Sequence, residues 1–558
     1  MTTPPEGWER VERWERTIDV VVIGSGAAAL AGALAAAEGG ASVLVLEKSH
    51  LLGGTTAMSG AGTWVPANHH MLAAGIADSP ADALTYIRAN APAGWAVEEE
   101  PLWRAMVEQA PEMLAFLERR TPLRFELVHH PDLYVESPGG RLTGRMVSPK
   151  AIALSEAGPW RRRIRGSTLP QLFTYRDFLE GVKLTQSVPG FLRLAPRIAW
   201  RWLARRVGMG NALVTGLVRG CLDSGCEIWA EARAVSLVTD GDAPAEGRVI
   251  GVELEKDGRR FAVRAARGVL IATGGFEWNP ELRARHFPGE VGLIGSPRTN
   301  TGDGQLMAAA VGAKLARMDQ ANIFPSAPTR YEGERQALPF TELYFPHCIL
   351  VDRSGHRFTN EGGPNVGVDL DRRDPATGLP IHLPAWRIFD ARYARLNPYG
   401  MRLARREPGY LHRAGDIATL AARIGLDPAA LQATVARFNG FVRAGKDADF
   451  ARGETAWEKF YTGDDARANG NGALGAIETP PFYAAPYHRA ILVTKGGPRT
   501  NERGQVLRED GSRIAGLYCA GVAMANPIGS KAVGAGTTIG PCLTWGYICG
   551  RNLLRENG

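Results

Sequence analysis

The chain predicts an α/β fold: a dinucleotide-type βαβ domain assembled from both ends of the sequence, with an α+β cap domain inserted between them. Three observations carry this. A strand–glycine–helix–strand unit opens at Asp19, and text of matching character returns after residue 515. The stretch between, roughly 320 to 480, is rich in arginine, proline and aromatics and loses regular periodicity, as an inserted domain does.

The elements follow in order. Val20 to Ile23 is an apolar β-branched run, as a buried parallel strand requires. Gly24-Ser25-Gly26-Ala27-Ala28-Ala29 supplies GxGxxA, and the alanine-rich text to Glu38 reads as a helix. Gly24 allows the tight turn, Gly26 lets backbone approach a pyrophosphate, and Ala29 keeps helix and strand close. The helix start at Ala27 and Ala28 offers amides and a positive dipole end to phosphate. A second run, Ala41 to Leu46, delivers Glu47 to an adenosine ribose, with Lys48 beside it. Strand, glycines, helix, strand and acid in this order make a Rossmann-like site.

The next glycines select a flavin over a nicotinamide. Leu52 to Gly62 follows at once, and a plain nicotinamide domain would pass straight into its next helix. Here flexible glycines and small hydroxyl residues (Gly54, Thr55, Thr56, Ser59, Gly60 and Gly62) wrap a diphosphate and reach along a tricyclic ring. No flavin-linking histidine stands in this block, so the expectation is non-covalent FAD.

Further along, Glu227 to Trp229, Ala234 to Val238 and Val249 to Leu254 alternate like an accessory β-layer, which places Ala234 and Val235 at the cofactor. Arg267 to Trp278 holds a buried strand ending in the turn Ala272-Thr273-Gly274. Gly516 to Gly521 is another strand reaching a glycine, followed by Gly534 to Pro541 and an apolar helix from Leu543 to Leu554. This divides the chain into an FAD-binding domain, 1–319 and 481–558, around a catalytic cap, 320–480.

Composition narrows the class. A chain of 558 residues with 45% hydrophobic and 22% charged content is that of a folded protein with a large core. The net +7 is spread over 65 basic and 58 acidic residues, so no nucleic acid partner is indicated. The six cysteines show no CxxC spacing, and no metal is assigned. No signal peptide or membrane-spanning run is read, so a reducing cytoplasm is expected. Arg193, Arg197, Arg201 and Arg205 recur every four residues beside Leu194, Ile198 and Trp202. Two readings of 191–206 stay open: peripheral attachment to a membrane surface, or a helix packed on its own domain with arginines in water.

Together these blocks resemble the flavoprotein group of 3-ketosteroid dehydrogenases and, more distantly, fumarate reductase and succinate dehydrogenase flavoproteins. The matching text is GSGAAAL at Gly24, GGTTAMSGAGTW at Gly53, ATGGFEWN at Ala272 and NTGDGQLMAAAVGA at Asn300. It continues with GHRFTNE at Gly355, TKGGPRTNERGQV at Thr494 and GAGTTIGPCLTWGY at Gly534. The resemblance adds Asn300, Asp303, Gly521, Thr538 and Ile539 to the FAD-binding residues. It implies desaturation of a carbon–carbon bond next to a ketone in a steroid-like apolar substrate, with hydride passing to flavin N5. It also implies a tyrosine and a backbone amide that polarise the ketone, a second tyrosine as base, and an external, quinone-type electron acceptor.

Position by position, Gly536 matches the amide donor and Tyr134 a supporting tyrosine. The two tyrosine positions hold Ala532 and Asn365. Lys531, adjoining the vacant position, is therefore an acid–base candidate, with His347 and Tyr344 in the cap as further ones. An ene reductase of the fumarate or urocanate type and a non-catalytic flavin-binding relic remain as alternatives.

Overall fold

The computed structural model describes residues 14–184, 188–242, 245–324, 326–339, 345–462 and 471–556. Strand β1 (Trp14–Ile23), helix α1 (Ala27–Glu38) and strand β2 (Val43–Leu46) form the expected opening unit. β1 sits inside the main sheet, parallel to β2 on one side and to Arg259–Ile271 on the other. Val20, Val21 and Val22 are fully buried there, which is why the run is continuously apolar rather than alternating. The sheet continues through Arg513–Cys519 and ends on antiparallel Gln505–Leu507. The last part of the chain thus completes a sheet that its first part begins.

Glu227–Trp229 departs from expectation. It pairs in parallel with β2 as an edge of the main sheet, while only Ala232–Thr239 and Val249–Lys256 form the antiparallel accessory layer. Three residues are too few for alternation to distinguish the two placements. The glycine block after Glu47 is also more ordered than a loop, since Gly54–Met58 is a short helix, α2.

The alanines of α1 have a packing reason. The helix Ile539–Leu553 lies directly on α1, and a Cβ at Gly546 would stand 2.1 Å from the Ala28 carbonyl oxygen. One at Gly550 would stand 2.3 Å from that of Gly32. Each helical glycine costs about 1 kcal/mol of helix propensity, and the close contact of two buried helices offsets it. α1 is apolar all round because it is buried all round.

The inserted region carries its own four-stranded antiparallel sheet, in the order Cys348–Val351, Ala385–Phe389, Phe482–Tyr487, His412–Ala414. Its third strand lies beyond residue 480. Helices Ile417–Arg423 and Pro428–Ala444 bury Leu420, Leu431 and Phe438 against Ile349 and Ile388 of that sheet.

In the arginine-rich helix, Val188–Leu203, two arginines of the stripe pair within the chain. Arg197 and Arg201 share Asp177 of the preceding helix, Tyr175–Leu184, with Arg201 buried and Arg197 half-exposed. Leu194 is buried, whereas Trp202 is 67% exposed and Trp200 56%. Both tryptophans face water, as does part of Arg197, while the buried Asp177 carboxylate accepts from both guanidinium groups. Arg205 is exposed, and the side chain of Arg193 lies outside the described residues.

Candidate active site

A groove runs along the carboxyl end of the main sheet, walled by Gly24, Gly26, Ala27, Ala28, Glu47, Lys48, Gly54, Thr55 and Thr56. Ala234, Ala272, Thr273, Gly274, Asn300, Asp303 and Gly521 complete its expected wall. Gly24 has φ +111°, and a Cβ there would lie 2.4 Å from the Ala272 carbonyl oxygen, so only glycine closes this turn. Thr56 Oγ1 accepts from the Ala27 amide (2.9 Å) and so pins α2 to the start of α1. Val235 is not among the lining residues. In its strand the groove-facing positions are Ala232 and Ala234, two apart as strand periodicity requires.

The charged groups of the groove are mutually braced. Glu47 is buried, accepting from Ser25 Oγ (2.6 Å) and the Ser49 amide (2.8 Å), and burial pushes its pKa up against those bonds. Lys48 Nζ donates to Thr301 Oγ1 (2.7 Å) and Asp303 Oδ2 (2.9 Å). Burial opposes ionisation of Asp303, but Lys48 and Thr301 hold its pKa below the usual range. Asn300 Nδ2 donates to Thr55 Oγ1 (2.9 Å), joining the α2 wall to the opposite one. A backbone-lined, glycine-walled slot at a helix start fits a dinucleotide diphosphate.

Beyond the groove, and sharing Thr55, Thr56, Val522 and Cys542 with it, opens a cavity of about 350 Å³. Ser59, Gly60, Gly62, Gly536, Thr538 and Ile539 are among its lining residues. Leu133, Phe178, Ile323, Phe324, Trp457 and Leu492 line it as well. Among the described lining residues there is no lysine, arginine or histidine. The one acid, Glu361, is fully buried and ion-paired to Arg357 (2.8 Å) and Arg452 (3.2 Å).

Gly536 lines the cavity. Its φ is +89°, a Cβ would meet the Gly62 carbonyl carbon at 2.6 Å, and no acceptor among the described residues takes its amide. The two vacant tyrosine positions touch each other. Asn365 Nδ2 donates to the Ala532 carbonyl (2.8 Å) and to Tyr134 Oη (2.8 Å), while the Ala532 amide donates to Asn365 Oδ1 (3.0 Å). Tyr134 is thus one residue removed from the cavity, its pKa raised by burial.

The other expected catalytic groups are not brought to the cavity. Lys531 Nζ lies 4.7 Å from the centre of the Tyr134 ring and is absent from the lining, and burial lowers its pKa. His347 Nδ1 pairs with the Ala476 carbonyl (2.8 Å) inside the cap, because its φ of +66° turns it back toward that segment. Tyr344 lies outside the described residues, and Phe345 packs in the cap core against Tyr393 rather than lining the cavity. Trp200 and Trp202 likewise do not reach it.

Two tyrosines that sequence reasoning passed over do line it, Tyr175 and Tyr461. Tyr461 Oη lies 2.8 Å from Nε2 of His130, a buried ring whose Nδ1 faces the Pro131 carbonyl at 3.0 Å. A carbonyl only accepts, so Nδ1 carries the proton and Tyr461 donates its hydroxyl hydrogen to Nε2. Burial pushes His130 down to about 4, which keeps it neutral. The available signal for Tyr175 was Thr174-x-x-Asp177, a helix-start pattern that fixes the register of the residue after the cap.

Comparison with known proteins agrees with this geometry. Residues 19–539 match the family described as FAD binding domain. A 3-oxosteroid 1-dehydrogenase of Mycobacterium tuberculosis is 35% identical, covering 97% of this chain and 99% of that protein. A 4-oxocyclohexanecarboxylate 2-dehydrogenase of Sinomonas cyclohexanicum is 36% identical over 97% of this chain and 93% of its own length. The crystal structure of 3-ketosteroid delta1-dehydrogenase from Sterolibacterium denitrificans, in complex with 1,4-androstadiene-3,17-dione, superposes with TM-score 0.87 at 31% identity. It covers 97% of this chain and 100% of that one.

Proposed function

The chain belongs to the FAD-binding domain family, and from that premise we propose that it is an FAD-dependent dehydrogenase. It introduces a carbon–carbon double bond next to the ketone of an uncharged, steroid-like cyclic substrate. The observation that carries this reading is the apolar cavity of about 350 Å³ opening off the FAD groove, with no cation among its described lining residues. Bound FAD supplies the hydride acceptor. The Gly536 amide, free of any described protein acceptor, donates to the ketone oxygen and so polarises the carbonyl. Leu133, Phe178, Phe324 and Leu492 exclude water, which strengthens that hydrogen bond. An ionised carboxylate in the same space would be buried without a partner, at a cost of several kcal/mol. The cavity therefore supports a neutral polycyclic ketone over a dicarboxylate or a cyclohexanone carboxylic acid.

Anaerobic mixing tests this directly. A 3-ketosteroid should bleach the bound flavin, while fumarate should leave pre-reduced flavin unoxidised. Reoxidation by fumarate with no response to any ketosteroid would replace the reading with an ene reductase. Silence in both directions would favour a non-catalytic relic.

Two finer points belong to the same proposal. FAD is held without a covalent link, since among the described residues no histidine, cysteine or tyrosine lines the groove except Cys542, whose pKa burial pushes up to about 12. Denatured protein should release all its flavin. Electrons leave to an external, quinone-type acceptor, and the exposed Trp200, Trp202 and Leu203 at the end of their helix support contact with a lipid surface where such an acceptor dissolves. Co-sedimentation with vesicles that is equal for wild type and Trp202→Gln would remove the membrane contact. Among the described residues, no helix is long and apolar enough to cross a membrane.

A further inference from the structure

We infer that the phenol of Tyr175 is a catalytic residue that donates a hydrogen bond to the substrate ketone, the partner of the Gly536 amide. This rests on the dehydrogenase reading above. A ketone losing a neighbouring proton needs donors aimed at its oxygen, and the two positions where tyrosines would stand hold Ala532 and Asn365. Asn365 has already spent its amide hydrogens on Tyr134 and Ala532.

Of the other hydroxyls that line the cavity, three donate to protein acceptors. Ser59 Oγ donates to the Thr56 carbonyl (2.7 Å), and Thr537 Oγ1 to that of Gly534 (2.8 Å). Tyr461 donates to His130. Thr55 also lines the FAD groove. Tyr175 lines the same space, and no described residue accepts or donates at its hydroxyl.

Its position is the one required. A Cβ placed on Gly60 would lie 2.9 Å from the Tyr175 ring, and one on Gly62 would lie 3.3 Å from it. Gly536 is packed against the Gly62 backbone. The Tyr175 ring and the Gly536 backbone therefore both pack against Gly62, which lines the same cavity. Burial pushes the Tyr175 phenol up to about 12, so it stays protonated and able to donate at neutral pH.

The ring is also held in place. Tyr175 is the first residue of its helix. Thr174, just before it, exchanges hydrogen bonds with Asp177: its amide donates to Oδ2 (2.8 Å), and its Oγ1 accepts from the Asp177 amide (3.3 Å). Asp177 is gripped by Arg201 and by Arg197 Nη1 (2.9 Å). The arginine stripe thus ends, through one carboxylate, at the residue before Tyr175.

Tyr175→Phe keeps the ring and removes the hydroxyl. The variant should retain FAD and its melting temperature, while flavin reduction by a 3-ketosteroid should slow about a hundredfold or more. A second readout needs no turnover. Wild type should prefer the ketone over its 3-deoxy counterpart in flavin-absorbance titrations, and Tyr175→Phe should lose about tenfold of that preference. Unchanged rate and unchanged preference would overturn the inference. Failure of wild type to be reduced by any ketone would overturn the dehydrogenase reading, and the binding preference would still report on Tyr175. Should the phenylalanine variant lose FAD, 3-fluorotyrosine at position 175 makes a more acidic donor of nearly the same shape. A reduction rate that does not respond to it would equally refute the role.

Discussion

The FAD groove takes its wall mainly from backbone and the smallest side chains, contributed by turns at Gly24, Gly53, Gly274 and Gly521. The cavity beside it is lined by side chains that arrive from residues as far apart as Leu133, Tyr175, Ile323, Asn365, Trp457 and Gly536. Backbone can approach a diphosphate only where no Cβ intervenes, so the groove is specified by glycine positions within short windows. The cavity is specified by which long segments pack together, and its chemistry is free to change while the groove stays constant. Tyrosines can be lost at two positions and a hydroxyl supplied from another helix without disturbing a groove residue.

Substitutions can break this contrast. The largest effect should come from Gly24→Val, where a Cβ meets the Ala272 carbonyl oxygen at 2.4 Å under a φ of +111°. The protein should purify colourless and take up no added FAD, read by absorbance. A yellow variant would show that the backbone rule is not what builds the groove. On the cavity side, Arg201→Met removes one partner of buried Asp177 and should cost about 3 kcal/mol of stability, measured by denaturant unfolding.

The same carboxylate gives a pH signature. Burial opposes its ionisation, but Arg201, Thr174 and Arg197 overcome this and hold Asp177 below its usual pKa. Its contribution is therefore fully present above the unfolded value of about 3.9 and is lost as pH falls through the lower folded value. Melting temperature should drop more steeply below about pH 4 in wild type than in Asp177→Asn. Parallel slopes would show that this clamp does not titrate as described.

A smaller change is expected from Glu47→Ala, which should weaken FAD binding by about 1.5–3 kcal/mol, the usual range for a hydrogen bond to a charged group. Equilibrium dialysis of FAD reads it. The smallest belongs to Lys531→Met. With Nζ stacked on Tyr134 and absent from the cavity wall, its loss should cost about 0.5–1 kcal/mol in stability, and the reduction rate should stay within about threefold. A hundredfold fall would return Lys531 to acid–base duty.

The contrast also explains what the sequence could tell. α1, β2 and the acid after them were legible within about two residues, because periodicity and glycine spacing are local, while β1 begins at Trp14, ahead of the apolar run at Val20 that marked it. The closing helix was legible too, though it begins at Ile539 rather than Leu543, because Gly540 and Pro541 read as turn residues. Thr174-x-x-Asp177 marks Tyr175 as the start of a helix, but its place at the cavity was not legible. Nothing in its neighbours says that Gly60 and Gly62 lie beneath its ring, and the arginines that secure it showed the periodicity of a solvated or membrane-facing helix. Lys531 misled for the converse reason, since adjacency in sequence to a vacant position does not aim a side chain into the cavity.

The clasp between Asn365 and Ala532 bears on how this site can be altered by mutation. Ala532 contributes only its backbone amide and carbonyl, so both bonds are indifferent to the side chain it carries. Asn365 contributes its side chain, and any replacement without an amide forfeits its donations to Ala532 and Tyr134. The two positions are therefore unequal in evolvability. Position 532 is a free port at the cavity, open to trial without loss of the join, while position 365 is a lock. A lineage of variants can pass through the first in single steps, and must compensate before it passes through the second.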